Sequence, residues 1–462
     1  MSQTYHLTKF DRVIDLLAIH RQDPQRYPFL LESVANGEQN CRYSILFGFP
    51  QEKIVLNKLN SLQSDSIKIN SSQFIDGLNQ WFQIENKTVP EEMKSQLPFY
   101  GGWFVYLGYE LAEEIEPVLN LPKNSDINLP IAFASRIPAA IIVDKQENAS
   151  WIVSEPGFES AYSNMLDDVE TSPTQETHLS FSKKQMNEEE PTRYTHAVKQ
   201  IQEYILEGDV FQVNISRNWE IQLEEKCSAS DIYSRLRKSN PAPFAGLMTL
   251  DDTAVISSSP ERLVSVKNNQ VETRPIAGTR PRVRRSNGSI NIDADEKLKQ
   301  ELIAHPKERA EHVMLIDLER NDLGRISVPG SVEVDELMVL ESYEHVHHIV
   351  SNVKGQLQEN TLPGDVIRAV FPGGTITGCP KVRCMEIIAE LEASPRQAYT
   401  GSMGYLNLDG DMDLNILIRT IIHAEDQLHI RAGAGIVAYS DPEKELQETR
   451  IKALGMLNAL TD

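Results

Sequence analysis

Residues 398–438 read AYTGSMGYLNLDGDMDLNILIRTIIHAEDQLHIRAGAGIVA, short alternating apolar runs separated by the turn signals LDGD and EDQL. A run of that kind that meets a tight turn doubles back on itself, which predicts antiparallel sheet rather than the parallel sheet of an alternating βαβ chain. VFQVNISRNWEIQL, AVISSSPERLVSV, QVETRPIAGTRPR and SYEHVHHIVSNVKGQL have the same texture. Between them lie helical stretches: TRYTHAVKQIQEYILEGD with a cap at Thr192, EKLKQELIAHPKERAEHVMLIDLER, CPKVRCMEIIAELE and PEKELQETRIKALGMLNAL. The expected class is therefore α+β, with antiparallel layers and outer helices.

The first ~160 residues mix β-rich runs (YSILFGF, AAIIVD, ASWIVS) with an aromatic, glycine-rich patch, PFYGGWFVYLGYELAEEI. Residues 164–191 turn polar and acidic with no apolar period, which predicts a linker between an N-terminal region, 1–163, and a second region, 192–462. Four cysteines (Cys41, Cys227, Cys379, Cys384) without a CxxC are expected to be reduced and buried. No basic-then-apolar leader opens the chain and no run approaches a membrane span, so the expected location is cytoplasmic.

A net charge of −22 over 462 residues disfavours nucleic acid and anionic membranes as partners. Yet RPIAGTRPRVRR, residues 274–285, holds five arginines. Two explanations stay open: a small carboxylated ligand, or internal pairing with the abundant Asp and Glu. Glu308 and Glu311 are spaced i,i+3, and Glu445, Glu448 and Lys452 fall at i, i+3 and i+7, so each set shares a helix face. If the two faces meet, the carboxylates could hold Mg²⁺; otherwise they are solvated faces. FPGGTITGCPK has the GxxxxG gap of a phosphate loop but lacks the following Lys-Ser/Thr, leaving Thr375 and backbone N–H groups to offer an anion. His345, His347 and His348 suggest a metal, but strand neighbours 347 and 348 face opposite sides, so one functional or packed histidine is expected. Gly433 and Gly435 allow either a close approach of backbone to a ligand or a bulge.

Taken together, GDVFQVNISR, SSSPERLV, RPIAGTRPR, HPKERAEHVMLIDLERNDLGR, HHIVS, FPGGTITGCPKVRCMEII, YTGSMGYLNLDGDMDLNILIRT and IRAGAGIVAYSDPEKELQETRIKA resemble the chorismate-utilising enzymes. The resemblance runs from about 192 to 462 and implies a large chorismate-binding domain with the N-terminal region packed onto it. It implies that Glu308, Glu311, Glu445 and Glu448 form a Mg²⁺ site, that Tyr399 and Arg419 hold the enolpyruvyl carboxylate, and that Gly278, Thr279, Thr375, Gly435 and Lys452 contact the substrate. Glu261 corresponds to the general acid and His348 to the histidine beside the reacting ring. Gln212 stands where water-adding members carry a lysine base, and an amide cannot take a proton from water, so ammonia is the expected nucleophile. The flanking motifs look like aminodeoxychorismate synthase component I, whereas Ala277 matches anthranilate synthase component I, the alternative. Either implies a separate glutamine amidotransferase subunit, component II. LLES, Leu30–Ser33, and CRYS, Cys41–Ser44, resemble a tryptophan-binding region; a structural element is the competing reading.

Overall fold

The structure, a computed structural model, describes residues 4–34, 42–172, 183–284, 290–342 and 346–461; Cys41, Arg285, His345 and the centre of the 164–191 segment lie outside them. Every strand pairing among the described residues is antiparallel. Two large sheets result, and the α+β class holds.

The N-terminal strands do more than pack onto the rest. In one sheet Phe29–Glu32 pairs with Phe244–Leu250, and in the other Gly102–Leu107 pairs with Ser402–Asn407, so both sheets are built from both regions. The expected linker is structured at its described ends: the helix Glu159–Thr171 runs into it, and Lys183–Glu188 forms an edge strand on Gln212–Leu223.

Alternation along the strands explains the layers. Phe29, Phe47, Met248 and Val255 of the first sheet join Phe104, Val264, Met403 and Leu414 of the second in one core, where the Phe29 and Phe104 rings stack 4.1 Å apart. Their strand neighbours Leu30, Leu46, Leu247 and Ile256 point the other way, into a second core closed by helices Leu16–Gln22, Ala229–Ser239 and Pro442–Asn458. A sheet covered on both faces needs apolar residues on both, which is why YSILFGF and AAIIVD read as continuous runs.

Three helices place the chemistry. The Thr192 helix starts earlier than expected, at Pro191, because proline's missing N–H costs nothing at a first helical position; it ends at Gly208, φ 88°. The long run before Asn321 is two helices, Ile292–Ala304 and Pro306–Gly324, broken at His305 because a residue preceding proline is pushed out of helical geometry. Pro442–Asn458 is opened by Asp441, whose carboxylate accepts the N–H groups of Glu443 and Lys444. No helix among the described residues is long and apolar enough to cross a membrane.

Candidate active site

The strand Gln212–Leu223 lies against Gln427–Ile436 with Asn214 opposite Gly435 and Ser216 opposite Gly433. The two glycines make room rather than form a bulge. A Cβ on Gly435 would stand 2.5 Å from Gln212 Nε2, and one on Gly433 would stand 2.8 Å from the Tyr399 hydroxyl and 2.9 Å from Asn214 Oδ1. Gln212 is buried, and its amide donates to Glu311 Oε1 at 3.2 Å, joining this strand pair to the helix Pro306–Gly324. From the other side Lys452 donates to the Gly433 carbonyl at 3.0 Å and pairs with Glu448 at 2.8 Å.

Glu261 follows the strand Thr253–Ser259 and is buried. Burial pushes its carboxyl up to about 7, against the pull of the Thr375 hydroxyl, Arg419 and Lys452. The Thr375 hydroxyl is near enough to favour the charged form but completes no hydrogen bond. Glu261 Oε1, Thr375 Oγ1, Gln212 Oε1 and Asn214 Oδ1 are all buried without a hydrogen-bond partner among the described residues. A folded interior satisfies nearly all of its buried polar atoms, so four orphans on residues around Gly433, Gly435 and Glu261 mark a place for a polar ligand.

The Arg419 side chain makes no hydrogen bond or ion pair among the described residues. The residue also sits at φ 51°, a left-handed conformation that costs a side chain about 1 kcal/mol or more. Burial lowers its pKa and Glu261 is the charged group that opposes this. A part-buried cation kept in a strained backbone, with Glu261 nearby but no carboxylate at ion-pair distance among the described residues, is equipped for an anion from outside.

The loop 274–285 behaves differently. Arg274 pairs with Glu336 at 2.6 Å and Glu341 at 2.5 Å, Arg280 with Glu308 at 3.2 Å, and Arg282 with Asp295 at 2.8 Å. These three arginines are internally paired, as the second reading of the loop expects. What the loop offers the site is backbone: Gly278, at φ 73° in a bulge between Ala277 and Thr279, lies where a Cβ would press to 2.9 Å from Glu308 Oε2. The Thr279 side chain lies outside the described residues, though its backbone pairs with His348.

His347 and His348 face opposite ways, as strand geometry requires. His347 bonds Asp295 at 3.0 Å and Ser342 at 2.8 Å. His348 contacts the Gly278 backbone and is held down to about 3 by burial and by Arg419, so it is a neutral imidazole at physiological pH. The glycine-rich stretch is not a phosphate loop: Gly374–Ile376 is a single 3₁₀ turn, the helix opens only at Lys381, and Lys381 is committed to Asp322 at 2.5 Å.

Glu308 and Glu311 lie on one helix, and Glu445 and Glu448 on another beside the same strand pair. Among the described residues no three acidic, histidine or cysteine side chains already converge at metal-ligand spacing. Four hard oxygen donors spread over two faces still suit Mg²⁺, which keeps waters and commonly takes only one or two carboxylates.

Sequence reasoning missed the residues beneath the site. Tyr399 is buried over Arg396, which forks onto Glu392 four residues earlier. The i,i+4 spacing in ELEASPR was a signal, although it is also the commonest surface ion-pair spacing.

A family model described as chorismate binding enzyme matches residues 29–458. An anthranilate synthase component I-like protein of Synechocystis is 43% identical over 81% of this chain and 75% of its own. Aminodeoxychorismate synthase component 1 of Bacillus subtilis is 39% identical over 94% and 92%. The crystal structure of anthranilate synthase component I from Streptococcus pneumoniae superposes with a TM-score of 0.79 at 32% identity, covering 91% of this chain and 93% of that one. Fold and relatives agree, and the chain belongs to the chorismate binding enzyme family.

Proposed function

We propose that this protein is an aminodeoxychorismate synthase component I, which exchanges the C4 hydroxyl of chorismate for an amine supplied as ammonia by a glutamine amidotransferase subunit, component II, on the way to p-aminobenzoate and folate. The observation that carries a carboxylated substrate is Arg419, part-buried and without an ion pair among the described residues, near the orphaned polar atoms of Glu261 and Thr375.

In this reading Arg419 and the Tyr399 phenol orient the enolpyruvyl carboxylate; burial raises the Tyr399 pKa to about 12, so it remains a donor. Thr375, Gly278, Thr279, Gly435 and Lys452 line the remaining substrate contacts, and neutral His348 stands beside the ring. Glu261, protonated near neutral pH, gives its proton to the departing hydroxyl, which leaves as water. Ammonia bonds to the ring with its own lone pair, and the Glu261 carboxylate accepts a proton from the resulting ammonium group, so protons balance. Gln212 has its amide N–H on Glu311 and no basic atom, which supports ammonia rather than water as nucleophile. Glu308, Glu311, Glu445 and Glu448 would hold Mg²⁺, whose positive charge would bind the ring carboxylate.

Relatives carry both names: the 39% identical one is named for this activity, and the 43% identical one for the other. The second reading is anthranilate synthase component I, favoured by Ala277, which is buried on the strand Ile276–Pro281 and offers no amine to attack the ring. Purified protein with chorismate, Mg²⁺ and an ammonium salt should give the amine-for-hydroxyl product with pyruvate retained, read by mass spectrometry. Fluorescent anthranilate with released pyruvate would establish the second reading instead.

We also propose tryptophan for the cavity of about 240 Å³ whose walls include Glu32, Ser33, Arg42, Tyr43, Phe244 and Met403. Leu31–Ser33 of the first N-terminal motif and Arg42 and Tyr43 of the second line it. L-Tryptophan should raise the melting temperature in a concentration-dependent way while L-alanine does not. No shift at millimolar tryptophan would leave the cavity a structural element.

A further inference from the structure

The ion pair Glu392–Arg396 is almost wholly buried, with 1% exposure on each side chain. Arg396 Nε and Nη2 fork onto the Glu392 oxygens at 2.9 and 2.6 Å. The same guanidinium donates to the Asn214 carbonyl at 2.7 Å, the Ile376 carbonyl at 3.3 Å and Thr400 Oγ1 at 3.3 Å. Its carbon lies 4.8 Å from the Tyr109 ring centre and 5.5 Å from that of Tyr399. Glu392 Oε1 accepts both the backbone N–H and the hydroxyl of Ser216 at 2.8 Å, and Arg431 approaches Glu392 Oε2 at 3.7 Å.

The hydrogen bonds reach the segments that carry site residues. Asn214 and Ser216 are on the strand that begins at Gln212; Ile376 follows Thr375; Thr400 follows Tyr399; Arg431 is on the strand of Gly433 and Gly435. None of these bonds reaches Glu308, Glu311, Glu445 or Glu448.

We propose that Glu392 and Arg396 are positioning residues that fix Asn214, Thr375 and Tyr399 in mutual register for the substrate's side-chain carboxylate, without touching substrate themselves. A buried ion pair is close to neutral for stability, because desolvation offsets the attraction. The planar guanidinium, however, has five donors in fixed directions, and here it satisfies two backbone carbonyls on separate segments, adding a side-chain tie to the strand pairing and the bond from the Asn214 N–H to the Thr377 carbonyl that already join them. Displacing a binding group by about 1 Å costs on the order of 10²-fold in rate, so a rigid joint under three of them controls substrate use out of proportion to stability.

The proposal rests on the assignment of Tyr399 and Thr375 to the substrate, so Tyr399→Phe serves as the reference. Chorismate KM, the half-activating Mg²⁺ concentration at saturating chorismate, and melting temperature are measured for three proteins: Tyr399→Phe, the double variant Arg396→Met with Glu392→Gln, and Ser216→Ala. The double variant removes both charges together, so no lone ion is left buried. Its chorismate KM should rise about tenfold or more, with Mg²⁺ half-activation unchanged. A folded double variant with native KM overturns the proposal, as does a parallel loss of chorismate and Mg²⁺ affinity, which would mean general loosening. If the double variant does not fold, Ser216→Ala decides: a rise of about threefold or more in KM at native melting temperature supports the joint, and an unchanged KM overturns it. A native KM for Tyr399→Phe would instead refute the substrate assignment beneath it.

Discussion

Glu261→Gln should lower kcat by about 10²- to 10⁴-fold with little change in chorismate KM, because the amide keeps the shape and polarity of the side chain but has no proton to release. The same group sets a pH limb whose sign follows from its environment. Burial raises the carboxyl to about 7, and the acid acts only when protonated. Activity at constant free ammonia should therefore be flat on the acid side and fall about tenfold per pH unit above about 7. Arg419 and Lys452 favour the ionised form, so a variant that removes either positive charge should move this limb to higher pH. A Glu261→Gln enzyme with native kcat, or a native limb retained in that variant, would remove Glu261 from the role of acid.

Arg419→Ala carries the second large effect, a loss of about 10²- to 10³-fold in kcat/KM, the usual size for deleting one partner of a desolvated charge pair. Arg419→Lys should recover only part of it, since an ammonium cannot grip a planar carboxylate at two points. Stability separates this expectation from a structural role. The guanidinium has no protein partner among the described residues, and alanine meets the same backbone strain at φ 51°, so the melting temperature should hold or rise. A fall of several degrees with native kcat/KM would mean that Arg419 supports the fold and not the substrate.

Much of this site is legible in short stretches of sequence. The i,i+3 spacings that put Glu308 with Glu311 and Glu445 with Glu448 on single faces depend only on helix period, and both helices form, started by Pro306 and Pro442. The opposed directions of His347 and His348 follow from the period of a strand, and the LDGD and EDQL turns close hairpins as their residues require. The break at His305 is signalled by Pro306 as well, but apolar periodicity continues across it and hides the boundary between the two helices.

Pairing over long sequence separation is not legible in that way. The arginine-rich loop draws attention because five charges stand together, yet Arg274, Arg280 and Arg282 find carboxylates 13 to 67 residues away. Arg419, among apolar neighbours in LNILIRT, is a part-buried cation without an ion pair among the described residues. Which charge remains unpaired is a property of the whole set of partners, so no local window contains it.

The sequence by itself determined the local terms: antiparallel strands from alternation and turn residues, and helix faces that aim carboxylates together. The tertiary structure alone decided that N-terminal strands complete both sheets, that Arg274, Arg280 and Arg282 of the loop are paired while Arg419 has no ion pair among the described residues, and that Glu392 and Arg396 are buried beneath Tyr399. The physical reason is one of range. Backbone sterics and side-chain period act over a few residues, whereas burial and ion pairing depend on which distant segments the fold brings into contact.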